Sequence, residues 1–310
     1  MTLWQAARAW LSTPAPSAAI EIAADGVSAV ATAAGTAPAV ARHIHVALPA
    51  GALAPAPAAA NVRNREAAAA AVREAFQRLS PREPRVSLVV PDSAAKVSIL
   101  RFDTVPARRA ELERLIRWKV REAVPFKLDD AQVSWSAAAP IEGARAFVVV
   151  AMRRDIVEEY EALAAAAGAQ PGVVTPASLA LLNLALAGAP RAHPAGDRLL
   201  VHAAAGYNSV AVLRGGGLAL FSCQPGEGAE DLPNLVHRTA MYYEDRLGGT
   251  GLRQVILATG RRDVEALAGR LAASVAAPIE PLAPPAGPDG GGAVPPAAAG
   301  ALLGWHQRAA

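Results

Sequence analysis

Cysteine is almost missing from this sequence. Cys223 stands alone among 310 residues, which excludes a disulfide framework and a cysteine-rich metal site. A reducing compartment fits that usage. Aromatic residues are scarce at 5%, so any core must be built largely from Val, Leu, Ile and Ala. No sign of charge dominates. The formal net charge is +3 with no block of basic residues, which argues against nucleic-acid binding. Long apolar runs are absent as well. The longest uncharged stretch, 162–190, is broken by Gly168, Gln170, Pro171, Gly172 and Pro176, so no transmembrane helix is expected. The opening MTLWQAARAWLSTPAP lacks the apolar segment of a signal peptide. The expectation is a soluble, cytoplasmic chain.

What is present repeats itself. Residues 18–49 read as two apolar strands around a turn at Asp25-Gly26, then a turn near Gly35 and a third strand around 40–48. A helix over 64–80 and a buried strand over 85–90 follow. Residues 198–224 repeat the pattern, with turns at 206–208 and 215–217. A helix over about 228–247 stops at Gly248-Gly249, and a strand follows over 252–259. Both halves read strand-strand-strand-helix-strand. Glu21 and His202 take equivalent places, 181 residues apart. The expected fold class is α/β, with duplicated βββαβ units forming two lobes that face a cleft.

The intervening region differs. Residues 91–146 read as a small inserted subdomain, with a strand over 96–102, a helix carrying Trp118 and a strand over 132–138. On that helix Leu112, Leu115, Ile116, Val120 and Ala123 share one face. Trp118 falls opposite, among Arg114, Arg117 and Arg121. Either the inserted sheet covers Trp118 or the side chain is an exposed anchor, since Trp and Arg are enriched in interface hot spots. Residues 145–168 read as a strand entering a helix. Residues 175–188 read as another helix, with Thr175 as its cap and Pro176 in its first position. The division expected is an amphipathic segment over 1–16, a first lobe over 17–195 with the insertion, and a second lobe over 196–310. A Pro/Gly/Ala-rich loop at 277–296 precedes a last short helix. Trp4 and Trp10 in the first segment fit a membrane interface, docking on the lobe, or disorder.

The motif LIRWKVREAVPFKLDDAQVSW (115–135) resembles the signature region of the PilM family. Its parts are Trp118, Pro125-Phe126, Asp129-Asp130 and the strand over 133–135. The stretch after the insertion, 148–184, is similar to the same family. The resemblance spans roughly 18–305. It implies the actin-like, Hsp70-like fold, similar in layout to the cell-division protein FtsA. It also implies a cytoplasmic scaffold, peripheral to the inner membrane, in a type IV pilus or related secretion machine. Such proteins bind the cytoplasmic tail of the inner-membrane protein PilN and link it to the motor and other machine components. The resemblance puts the tail groove between the insertion and the first lobe, with Trp118, Arg121, Pro125 and Phe126 near it. Pro125-Phe126 also reads as a helix stop followed by a core phenylalanine.

Some relatives bind ATP in the interlobe cleft, where each lobe's first hairpin offers an Asp for Mg²⁺ and a Gly for close phosphate approach. Here the candidate nucleotide residues are Glu21, Asp25, Asn208, Ser209 and Gly260. The pattern is degenerate. Glu21 and Ala23 stand for Asp and Gly in one hairpin. His202-Ala203-Ala204 replaces Asp-Ile-Gly in the other, and neutral His is a poor Mg²⁺ ligand. Gly260 is the only glycine of its motif. A scaffold without ATPase activity is expected, with no cofactor. The alternative is an ATP-binding switch. Outside the resemblance, His43 and His45 read as surface or structural, and Cys223 as inert. The basic clusters at 80–85 and 107–109 suit solvation, acidic partner tails or anionic lipid headgroups.

Overall fold

The computed structural model describes residues 16–32, 40–141, 143–187, 196–215, 217–226, 231–260, 264–282 and 294–309, with side chains to 302. The first lobe opens with β1 (Ala18–Ala23), β2 (Gly26–Thr32) and β3 (Val40–Ala47), then α1 (Arg65–Leu79) and β4 (Arg85–Val90). The second opens with β9 (Asp197–Ala204), β10 (Tyr207–Arg214) and β11 (Gly217–Pro225), then α5 (Asp231–Leu247) and β12 (Leu252–Thr259). The expected duplication is therefore present. Its register is duplicated too: Glu21 pairs with Ser28, and His202 with Ser209. Each lobe's sheet has an antiparallel trio continued by two parallel strands. The orders are β3-β2-β1-β4-β8 and β11-β10-β9-β12-β13, with β8 at Gln170–Pro176 and β13 at Ile279–Pro281.

The layers follow from strand alternation. Ile20 and Ile22 of β1 face α1 and α3 (Arg154–Ala166), where they pack with Val72, Leu79, Ile156 and Tyr160. Ala19 faces the other way, toward α4 (Ala177–Ala187) and α7 (Pro296–Ala309). The same cluster takes in Leu200 of β9, Ala211 of β10 and Ile256 of β12, so α4 and α7 are sandwiched between the two sheets. Leu199 and Val201 face outward onto α5 and α6 (Val264–Leu271). The result is five alternating helical and sheet layers. Period two then puts Glu21, beside Ala19, and His202, beside Leu200, into the middle layer.

The insertion is a sheet of order β5-β7-β6, formed by β5 (Lys96–Phe102), β6 (Ala131–Ile141) and β7 (Ala144–Arg153). Its central strand carries the subdomain past residue 146. One face is covered by α2 (Arg109–Val120), which buries Leu112, Ile116 and Val120 against Phe147 and Val149. Ala123 is exposed rather than on the buried stripe, because the helix ends at Val120. At its far end the sheet reaches the second lobe, where Ile141 and Ala146 join that lobe's core.

Several local expectations change. The first hairpin turns at Ala24-Asp25, and Gly26 already pairs with Ala23 in β2. Glycine is favoured there because a Cβ would lie 2.9 Å from the Val46 carbonyl oxygen and 2.5 Å from the His45 ring. In the second hairpin the loop is Ala205-Gly206, and Tyr207 and Asn208 belong to β10. Gly206 has φ 83°, a left-handed conformation that favours glycine. Strand β8 was hidden in the run before α4. Thr175 and Pro176 pair with Val89 and Val90 instead of starting a helix, and an edge strand tolerates the proline. The stretch 277–296 is not loop throughout, because β13 lies parallel to β12. The turn near Gly35, the start of the 228–247 helix and the 1–16 segment up to residue 15 lie outside the described residues.

The contact of α7 with α4 is backbone-close at Gly300, where a Cβ would meet the Ala180 carbonyl oxygen at 2.0 Å. Gly300→Ala should cost about 1–3 kcal/mol by overpacking. Chemical denaturation reads this directly, and an unchanged midpoint would mean that α7 is not seated on α4.

Candidate functional site

Two places gather the chemistry: the middle layer between the lobes, and a groove beside the insertion. In the first, the chain leaves β4 at Pro91 and makes a 3-10 turn, Asp92–Ala94, that buries Asp92 completely. Asp92 sits at the N-terminus of α4. Its Oδ1 accepts the Ser178 N–H at 2.8 Å, and its Oδ2 accepts the Ser178 hydroxyl. This is the work of a helix cap, supplied from another segment. From the second lobe, His202 brings Nδ1 to 3.5 Å from Asp92 Oδ2 and 3.2 Å from Ser178 Oγ. Tyr207 stands edge-on to the His202 ring at 5.4 Å. Burial alone would raise the Asp92 carboxyl, but hydrogen bonds from His202 and Ser178 outweigh it and hold it below its ordinary value.

Asp, Ser and His thus meet in space, yet not as a hydrolytic triad. In a triad the imidazole separates the two and uses both nitrogens. Here the serine donates to the carboxylate directly, and both approach the same Nδ1. The cluster is a latch: Asp92 and Ser178 belong to one lobe, His202 to the other.

Glu21 lies in the same layer. It is half-buried, and desolvation pushes its pKa up to about 7; His202 opposes the rise, while Asp25 and Asp92 add to it. Its carboxyl accepts the backbone N–H of Ala298 in the first turn of α7. Asp25 is exposed at the hairpin tip. Asn208 and Ser209 are buried on β10. Asn208 lines a polar pocket of about 470 Å³ with Gln224, Asp231 and Arg238. Ser209 pairs across the sheet with Cys223, whose thiol burial pushes up to about 12, far from a reactive thiolate. Gly260 is exposed just after β12. Arg261 and Arg262 lie outside the described residues. Of the five candidate nucleotide residues, the structure brings Glu21 beside the latch, leaves Asp25 at the exposed hairpin tip, and places Asn208 and Ser209 on the facing hairpin.

The second place is an apolar groove of about 580 Å³ where three parts of the chain converge. One wall is the loop Pro55, Ala56 and Pro57. Another is Val124 and Pro125 after α2, with Val97 of β5. The third is Phe221 and Cys223 on β11. Pro125 also lines an adjoining cavity of about 560 Å³ with Phe126, Lys127, Arg153 and Glu158. Phe126 is half-buried against the inserted core. Trp118 is 59% exposed on the outer side of α2, with the Lys119 ammonium 5.4 Å from its ring, and Arg121 is exposed beyond it. The inserted sheet therefore does not cover Trp118.

Sequence reasoning missed the loop wall. Its anchor is Asn61, fully buried: the amide donates to the carbonyls of Ala56 and Ala59 at 2.8 and 2.7 Å, and accepts the Tyr160 hydroxyl at 3.1 Å. Glu159 accepts the N–H groups of Asn61 and Val62 at 2.7 and 3.1 Å. The only sequence signal was a lone Asn after the Ala/Pro run 54–60. Asp92 likewise carried only the weak signal of a carboxylate just after a buried strand. His45 accepts or donates at the Ser28 hydroxyl, 3.1 Å away. Among the described residues, no group of three or more His, Cys, Asp or Glu is arranged to hold a metal ion. Also among them, no helix is long and apolar enough to cross a membrane.

Two sheets of the same order and register, sandwiching helices, with an insertion after the first unit, define a bilobed actin-like protein. Among solved structures, the PilM–PilN type IV pilus biogenesis complex is similar at 19% identity with TM-score 0.78, covering 96% of this chain and 99% of that one. The cytoplasmic domain of Vibrio cholerae EpsL, an inner-membrane component of the type II secretion system, is similar at 11% identity with TM-score 0.53, over 94% of each chain. A Bacteroides thetaiotaomicron protein of actin-like ATPase fold is similar at 11% identity with TM-score 0.53, over 85% of this chain and 90% of that one. No curated protein matches the sequence. Residues 19–213 match the family model of the type IV pilus assembly protein PilM, and the chain belongs to that family.

Two outcomes follow from this geometry. The raised Glu21 pKa means that the folded state holds a proton the unfolded chain releases. Its contribution to stability is full below about pH 4.5 and is lost as pH rises through about 7. Glu21→Gln should therefore gain thermal stability over the parent at pH 8 but not at pH 5; a difference independent of pH contradicts this. Asn61→Ala releases the Ala56 and Ala59 carbonyls and leaves the buried Tyr160 hydroxyl unpaired. It should cost about 1–3 kcal/mol and raise proteolysis within 54–60, measured by denaturation and limited digestion.

Proposed function

We propose that this protein is a scaffold of a type IV pilus or related secretion machine. It works at the cytoplasmic face of the inner membrane and holds the cytoplasmic tail of a PilN-like membrane protein, linking it to the motor. The observation that carries this reading is the convergence at Pro125. An apolar groove joins a more polar cavity there, and Pro125 lines both. An extended tail can place apolar side chains in the first and polar groups in the second. Membership of the PilM family and likeness to a chain of a PilM–PilN type IV pilus biogenesis complex support it. Pro125 and Phe126 contact the tail, and the Asn61-anchored loop forms the opposite wall. The scaffold has no ATPase activity. Between the lobes, Asp92 is buried against Ser178 and His202, and the sandwiched α4 and α7 fill the middle layer, which supports a reading without a triphosphate there.

Calorimetry with a peptide of the partner's cytoplasmic tail tests this. Binding should fall at least tenfold in Phe126→Ala, and Mg-ATP should give no heat up to millimolar concentration. Low-micromolar ATP binding would replace the scaffold with a nucleotide switch. Tail binding indifferent to Phe126 would move the interface elsewhere.

A further inference from the structure

The outer face of α2 combines features that the groove does not use. Trp118 projects from a convex helix with 59% of its surface exposed, among described residues in which Met241 and Tyr242 are the only other large hydrophobic side chains so exposed. On the helical wheel Arg114 and Arg121 lie beside it on one flank, and Lys119 stacks over its ring on the other. Arg108 and Arg109 precede the helix or open it. Residues 108–122 hold six Lys or Arg against Glu111, Glu113 and Glu122, so this one segment carries as much net positive charge as the entire chain. Part of the acidic charge is neutralised locally, since Glu111 pairs with Arg108 at 3.5 Å. Arg117 turns inward to donate to the Leu128 carbonyl, and Arg109 sits over Trp135 on the other side of the helix. Arg114, Lys119 and Arg121 are left around Trp118, with the exposed Glu122 as an acid on the same face.

An exposed indole on a convex surface brings no pocket of its own, so its partner must supply a yielding apolar layer. Cations around it call for a negative surface in the same plane. A membrane with anionic headgroups supplies both: the indole sits at the headgroup level while Arg and Lys meet phosphates. We propose that the outer face of α2 docks on an anionic lipid surface, with Trp118 as the inserted residue and Arg114, Lys119 and Arg121 as headgroup contacts. The placement extends the proposed tail interface, on whose reading it rests for orientation. Pro125, four residues beyond Arg121, lines the groove, so the α2 face continues along the chain into the groove wall. A single indole and three cations bind weakly alone. Tethering through the tail raises the local concentration of lipid and turns weak contact into orientation.

The experiment is co-sedimentation of the full chain with vesicles of phosphatidylglycerol and phosphatidylcholine, and with phosphatidylcholine alone. Binding should favour the anionic vesicles and fade as salt is raised. Arg114→Gln and Arg121→Gln should each weaken partitioning about fivefold, from about 1 kcal/mol per basic residue at the surface. Trp118→Ala should weaken it several-fold and leave the thermal midpoint and the lipid-free affinity for the tail peptide unchanged. Bromolipid quenching of tryptophan fluorescence should fall in Trp118→Phe, with any remainder assigned to Trp4, Trp10, Trp135 and Trp305. Equal binding to both vesicle types, or partitioning and quenching unaffected at Trp118, overturns the proposal. Loss of tail-peptide affinity in Trp118→Ala without loss of vesicle binding also overturns it, and assigns Trp118 to a protein interface while the scaffold reading stands. Failure of tail binding in the parent protein defeats the scaffold reading without touching the vesicle result.

Discussion

Asp92 is a carboxylate with no access to water, and the arrangement of the two lobes depends on how it is satisfied. Leaving such a charge unpaired costs several kcal/mol. Its partners come from separate elements: the first turn of α4 gives an N–H and a hydroxyl, and β9 of the other lobe gives an imidazole. Tyr207 closes the cluster on the second lobe's side, where its hydroxyl meets the Asp92 backbone N–H. The end of β4, the start of α4 and the middle of β9 must therefore stay together. With the sandwiched α4 and α7, this latch makes the middle layer a packed core rather than an open cleft.

That constraint separates the two candidate sites by mechanical character. A switch of the actin-like fold works by lobes that open and close around nucleotide. Here the lobes share a continuous apolar cluster from Ala19 to Ile256, and the insertion bridges them again where Ile141 and Ala146 enter the second core. The groove at Pro125 lies where these rigid parts converge, so its walls are set by the same packing. A fixed groove suits a protein whose work is holding, since preorganised walls cut the ordering cost of binding.

Legibility from sequence was uneven for physical reasons. The duplicated strands were visible because short apolar runs between turn residues are local signals, and the 181-residue offset of Glu21 and His202 survives as an identical pairing register. Strand β8 was hidden because Gln170–Pro176 carries two residues, Thr175 and Pro176, that also suit a helix start; pairing with β4 overrode local preference. The inserted sheet's central strand, β7, continues to Arg153 and enters α3 without a break, so nothing local marks where the subdomain ends. Trp118 was legible as a question only. Its helical phase set it opposite the buried stripe, but only the covering of the other face by β7 left it in solvent.

The sequence alone determined the α/β class, the duplicated lobes, the inserted helix with its arginine-flanked tryptophan and the family signature, all of which are carried by residues close together in the chain. Tertiary structure decided that Asp92, Ser178 and His202 form one buried cluster, that Glu21 caps α7 and that Asn61 holds the groove's wall. Those groups are remote in sequence, and each is costly to bury without the others. Their roles exist only once burial removes water and leaves the protein's own atoms as their hydrogen-bond partners.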